Sequence, residues 1–278
     1  KGIRSAPRDA LVADVTPPEL RGAAYGLRQA LDVVGAFTGP LLAIGLMWLT
    51  AGHFQAVFWI AVIPAFLAAA VLLVFVHEPK QPTAAQPCAP LSRAALARLD
   101  AGYWWVVGVG VVFTLARFSE AFLILRAGEA GLSPISAPLV LVLMGIAFSL
   151  SAYPAGALSD RVSRVIVLVV GIGVLIAADL VLAFVPGLAG LAVGVVLWGL
   201  HMGCTQGVFA ALVAERAPAE LRGTAFGVFH LLTGLALLLA SVIAGALWDA
   251  WGYRGTFLCG AVFASLTLLG MTTLRQRS

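Results

Sequence analysis

Ala10-Leu11-Val12-Ala13-Asp14-Val15-Thr16-Pro17-Pro18-Glu19-Leu20-Arg21-Gly22 returns 201 positions later as Ala211-Leu212-Val213-Ala214-Glu215-Arg216-Ala217-Pro218-Ala219-Glu220-Leu221-Arg222-Gly223. Extended to Gly26 over Gly227, 11 of 17 positions are identical. Each copy is a short polar stretch that leads into a long apolar run. Both copies precede their run from the same side of a bilayer, which makes the repeat a parallel one. Working outward, eight runs have the roughly 20 apolar residues a helix needs to cross a membrane. They lie near 23–49, 54–76, 103–125, 135–156, 165–185, 188–213, 224–247 and 254–274, and residues 1–15 read as the end of a ninth. The runs are too long for the strands of a membrane barrel and lack their polar–apolar alternation. The expected class is all-α and polytopic.

Composition agrees. With 61% hydrophobic and only 11% charged residues the chain is not a water-soluble globule. The net charge of +4 is spread without a basic run, which argues against a nucleic-acid partner. Cys88, Cys204 and Cys259 are odd in number and show no paired spacing, so neither a disulfide framework nor a zinc site is expected, and no metal or cofactor is called for. Enzyme signatures are also missing: there is no His-Glu-x-x-His, Gly-x-Ser-x-Gly or phosphate loop. Gly108-x-Gly110 and Gly171-x-Gly173 fall inside apolar runs and read as packing glycines.

The longest polar interruption, Glu78 to Gly102, carries Pro79, Pro82, Pro87 and Pro90, the composition of a linker that does not pack. It separates residues 1–77 from a six-span unit at 103–278. With the linker in the cytoplasm, ten basic residues lie inside against Arg126 and Arg254 outside, which fixes the orientation of a multi-pass protein in its lipid bilayer. The six-span unit starts near residue 102, so the 201-residue shift places the start of its partner near position −99. The chain opens on Lys1 rather than Met. The expectation is a twelve-helix protein lacking about three and a half N-terminal helices.

Gly156-Ala157-Leu158-Ser159-Asp160-Arg161-Val162-Ser163-Arg164 resembles the cytoplasmic signature of the major facilitator superfamily, departing at Ser163, where glycine is usual. The paired Pro-x-Glu-Leu-Arg-Gly loops are a second likeness. Gly26, Gly35, Gly39 and Pro40 are similar to the fifth-helix motif of that superfamily's proton-coupled exporters, with Ala43-Ile44 in place of its closing glycines. The resemblance implies two six-helix halves, with 1–77 as the end of helix 4 and helices 5 and 6, 78–102 as linker and 103–278 as helices 7 to 12. It implies a secondary transporter that exchanges a small molecule for protons, a monomer of the bacterial inner membrane. An uptake carrier for a small anionic solute, suggested by Arg4, Arg8, Arg28 and Arg117, is the alternative, and a non-transporting scaffold or sensor the third reading. It also implies a gate in which Asp160 docks on the N-terminus of the helix beginning near Arg21 and Gly22, with Gly156, Arg161, Arg164 and Arg222 around it.

Thr16 and Glu19, flanking Pro17, form a capping box that starts the 23–49 helix. At about 100° per residue Arg28, Asp32, Gly35 and Gly39 share one face. A face mixing charge with glycine does not meet lipid, and it serves either as a static ion pair or with Asp32 as a proton carrier. Arg8 and Asp9 precede the repeat where the second copy has Phe209 and Ala210, and they line a cavity or snorkel to the interface. Arg117 and Glu120 share a face as scaffold or cavity lining. His201, near mid-span, packs or couples. Asp179 and His230 stand isolated and receive no role.

Overall fold

A computed structural model describes residues 2–50, 52–75 and 93–275. The described residues are helical almost throughout: α1 (Gly2–Val15), α2 (Arg21–Leu49), α3 (Phe54–Phe75), α4 (Arg93–Ala97), α5 (Ala101–Ala116), α6 (Ala121–Glu129), α7 (Leu139–Arg161), α8 (Arg164–Phe184), α9 (Gly187–Arg216) and α10 (Arg222–Arg275). Hydrocarbon leaves no water to satisfy a backbone amide, so each apolar run closes its own hydrogen bonds as a helix. The fold is all-α and polytopic.

α10 is two spans rather than one. Gly252 sits at φ 67°, a left-handed conformation that glycine adopts without steric penalty, and there the chain turns back on itself. The result is two arms, 222–251 and 253–275. The neighbouring Trp251 is exposed, as is Trp48 at the far end of α2, in the positions that amphipathic rings take at a bilayer surface.

Three expectations need correction. The 103–125 run is not one helix: α5 ends at Ala116 and α6 starts at Ala121, because the polar segment Arg117–Glu120 leaves the helical path at Arg117 (φ −108°, ψ 84°). A hydropathy window averages over such a break. The linker does pack in its last third, since Ala95 of α4 and Leu99 just after it are buried, and Asp100 caps α5 by accepting from the Tyr103 amide at 2.7 Å. Its prolines and Cys88 lie outside the described residues. Finally, the capping box at Thr16 and Glu19 does not form. A 3-10 turn, Pro18–Leu20, intervenes with Leu20 N donating to Pro17 O at 3.0 Å, and α2 has no side-chain cap from its own segment.

The second bundle, α5 to α10, buries a continuous core around Trp198, Phe257, Leu168 and Ile172. α2 crosses onto it through α7 and α9. Close approach there depends on small residues: a Cβ on Gly26 would strike the Ala152 carbonyl, and one on Gly156 the Gly22 carbonyl. The further half of α2 and all of α3 present Leu42, Trp48, Phe58, Phe66 and Leu73 outward.

Candidate functional site

The two parts interlock at the end that carries the repeated loops. Free amides at a helix start carry partial positive charge and favour an anion. Asp160, near the end of α7, meets that need: Gly22 N and Ala23 N donate to its Oδ1 and Oδ2, each at 2.8 Å. A Cβ on Gly22 would collide with Ser159 and Gly156, so glycine is what lets the carboxylate reach the amides. Arg164 braces Asp160 at 3.2 Å, donates to Pro18 O at 3.1 Å and also pairs with Glu215. The repeat supplies two further ties. Arg222 pairs with Asp14 at 2.5 Å, and Arg21, buried, donates to Ala13 O and Ala214 O at 3.2 and 3.4 Å. Arg161 takes no part, being exposed and without a partner among the described residues. These contacts hold the loop-bearing ends of the two parts together.

About two turns further along α1 is a cluster of charges. Asp9, 2% exposed, faces Arg28 at 3.2 Å and Arg8 at 3.7 Å through Oδ1, and His230 at 3.0 Å through Oδ2. Asp32 completes it, 3.1 Å from Arg8 and 3.4 Å from Arg28. The Arg28–Asp32 pair expected from the helix face is present, and the structure adds Arg8 and Asp9 to it. His230, assigned no role from the sequence, is the group that reaches Asp9 from the other bundle. Nearby, Tyr25 donates to the Asp9 carbonyl at 2.5 Å, and Gln29 and Gln206 join at 3.0 Å across the same interface. The Arg4 side chain lies outside the described residues.

The other candidates separate. Gly26 packs closely, but a Cβ on Gly35 or Gly39 would meet nothing within 4 Å among the described residues, and Pro40 is exposed. Among the described residues no helix covers that face of α2, so these three positions pack against nothing described. His201 is fully buried between Trp198 and Phe113, edge-on to both, with no well-formed hydrogen bond at either ring nitrogen and the Trp198 backbone as a nearby polar group. Asp179 is equally buried, and neither oxygen has a partner. Arg117 and Glu120 line a cavity of about 570 Å³ with Phe118, Leu141, Leu237 and Ser241. Arg126, counted above as an outside loop charge, is buried: it donates to Leu182 O at 3.0 Å and Val185 O at 3.2 Å and lies 4.2 Å over the Tyr253 ring. The open carbonyls at the end of α8 were the signal for it, since a helix C-terminus attracts a cation. Among the described residues no group of His, Cys, Asp and Glu is arranged to hold a metal.

Bundles related by a parallel repeat and interlocked by polar contacts at one end have the build of membrane carriers that rock one bundle against the other. Comparison makes the assignment specific. The Major Facilitator Superfamily model matches residues 2–229 and 106–277, and the chain belongs to that superfamily, a family of transporters rather than enzymes. An uncharacterised MFS-type transporter of Methanocaldococcus jannaschii is 32% identical over 273 residues, covering 96% of this chain and 67% of the relative. The multidrug efflux pump Tap of Mycobacterium bovis is 33% identical over 122 residues, 43% of this chain and 29% of the pump. Among solved structures, the E. coli fucose:proton symporter FucP in the outward conformation has a TM-score of 0.76 at 18% identity, covering 98% of this chain and 72% of that one, a likeness of fold alone. The chain thus spans about two thirds of the length of the archaeal relative.

Proposed function

We propose that the protein is a proton-coupled exporter of a small molecule that works by alternating access, as a monomer in a bacterial cytoplasmic membrane with its basic loops inside. Residues 1–77 would serve as the end of one six-helix half and 103–278 as the whole of the other, with 78–102 between them. The observation that carries the coupling is Asp9, a buried carboxylate held by Arg28 from its own side and by His230 from the other bundle. A proton on Asp9 removes the charge that both partners bind, so occupancy of one site changes a contact between the bundles. Asp32, shared by Arg8 and Arg28, is the neighbouring acceptor through which the two arginines can redistribute. The gate at Asp160 then opens or closes the cytoplasmic end. The export direction draws on the fifth-helix motif and on the likeness to an efflux pump.

The uptake alternative draws on Arg8, 39% exposed beside this cluster, as a cation available to an anionic solute. The full-length protein in proteoliposomes, screened with labelled solutes with and without a pH gradient, separates the readings. Asp9→Asn and Asp32→Asn are expected to keep solute binding and to lose uphill export. Wild-type gradient-driven export in both variants would overturn the coupling assignment.

A further inference from the structure

The break between α5 and α6 places two opposite charges in one cavity, each without a side-chain hydrogen bond or close ion pair to a described residue. Arg117 is the C-terminal cap of α5 and Glu120 the N-terminal cap of α6, and both line the 570 Å³ space that α7 and α10 close from the other side. Three residues apart in sequence, they attract one another across the break but do not close to salt-bridge distance, and neither side chain hydrogen-bonds to any described residue. The helix ends account for their persistence. The last carbonyls of α5 attract the guanidinium, and the first amides of α6 attract the carboxylate. Each charge is therefore stabilised by backbone, with its bonding capacity free to face the cavity. Around them the wall is apolar, formed by Phe118, Ile124, Leu141 and Leu237, with the hydroxyls of Ser119 and Ser241 at its edge.

Such a wall recognises a particular chemistry. A fixed cation and a fixed anion on one short segment form a dipole, and the complementary solute carries a carboxylate and an ammonium on adjacent atoms with an apolar body beyond them. A purely anionic solute would satisfy Arg117 and leave Glu120 desolvated and unmatched, and a purely cationic one would do the reverse. We propose that the cavity at the α5–α6 break binds a small zwitterion with an apolar side chain, of the size and kind of an aliphatic amino acid. The proposal rests on the transporter reading, whose cargo it specifies, and it is independent of the direction of transport and of Asp9.

Equilibrium binding of labelled leucine to the purified full-length protein tests it, with no gradient and no transport step. Unlabelled leucine, N-acetylleucine, leucine methyl ester and isobutanol compete in turn, so that the three analogues lack one charge or both. Leucine is expected to compete at least about tenfold better than either singly charged analogue, the usual worth of one charge-assisted hydrogen bond. Arg117→Gln should erase the advantage of leucine over its methyl ester, and Glu120→Gln its advantage over N-acetylleucine. A merely structural role would weaken all competitors alike. Should a variant fail to fold, the wild-type analogue series decides alone. Equal competition by the four probes, or no leucine binding at all, overturns the proposal. Selective binding without transport in liposomes would uphold the site and refute the exporter.

Discussion

Replacing Asp160 by Asn removes one charge from the contact that closes the cytoplasmic end while keeping the size of the side chain. In the native arrangement two backbone amides donate to the two carboxylate oxygens at 2.8 Å each, on a side chain only 6% exposed. Asn retains one acceptor oxygen. Its amide nitrogen then faces the second N–H, donor against donor. One charge-assisted bond, worth about 1.5–3 kcal/mol, is lost. The interaction with the helix dipole, about 0.3–1 kcal/mol, goes with it. Arg164 also loses a partner, but Glu215 already holds it, so that loss adds little. The sum is about 2–4 kcal/mol, and the lower end alone changes the ratio of closed to open gates by more than about tenfold. Double electron–electron resonance between labels at Glu19 and Arg161, exposed on opposite sides of the contact, reads that ratio in the full-length protein. The short-distance population should shrink in Asp160→Asn. Gly22→Ala should shrink it too without altering any charge, since its Cβ would wedge against Ser159 and Gly156. Unchanged distance distributions in both variants would refute the gate.

Three other perturbations probe the scaffold. Arg126→Met removes two hydrogen bonds to the end of α8 and a cation–π contact and should lower stability by about 2–4 kcal/mol, seen as a fall in Tm; an unchanged Tm would show the buried cation to be idle. His201→Phe should cost less than about 1 kcal/mol and leave transport intact, because the ring nitrogens make no well-formed hydrogen bond and both flanking groups are aromatic; loss of proton-driven transport alone would restore the coupling role. The 1–278 chain by itself should not transport, because the outward faces of α2 and α3 meet no described helix and Asp32 stays half-exposed despite its two arginines, and transport at the full-length rate in liposomes would refute the twelve-helix architecture.

Membrane spans were legible because the bilayer imposes a length and a polarity that apolar runs such as 165–185 display directly. The contact of Asp160 was legible because the resemblance joined it to a helix start in the other half. The contact between Asp9 and His230 was not, since it depends on how α10 is rotated against α1. The repeat held a partial signal, for it places His230 over Gln29, and Gln29 likewise reaches across the interface to Gln206. The break at Arg117–Glu120 was hidden for a different reason: two charges in a long apolar run look like an ion pair on one helix face until the backbone between them is seen to unwind.

The misread capping box leads to the last step. Had Thr16 and Glu19 capped α2, its first amides would be satisfied from within the same segment, and Asp160 would bring them nothing they lacked. The 3-10 turn at Pro18–Leu20 sets Thr16 five residues ahead of Arg21, beyond the reach of a local cap. The helix therefore begins with open donors, and the carboxylate that fills them belongs to the other bundle. A self-capped helix would be more stable by itself and useless as a gate. An uncapped one makes the stability of its first turn depend on the contact with Asp160, so that separating the bundles would expose both the amides and the carboxylate to water.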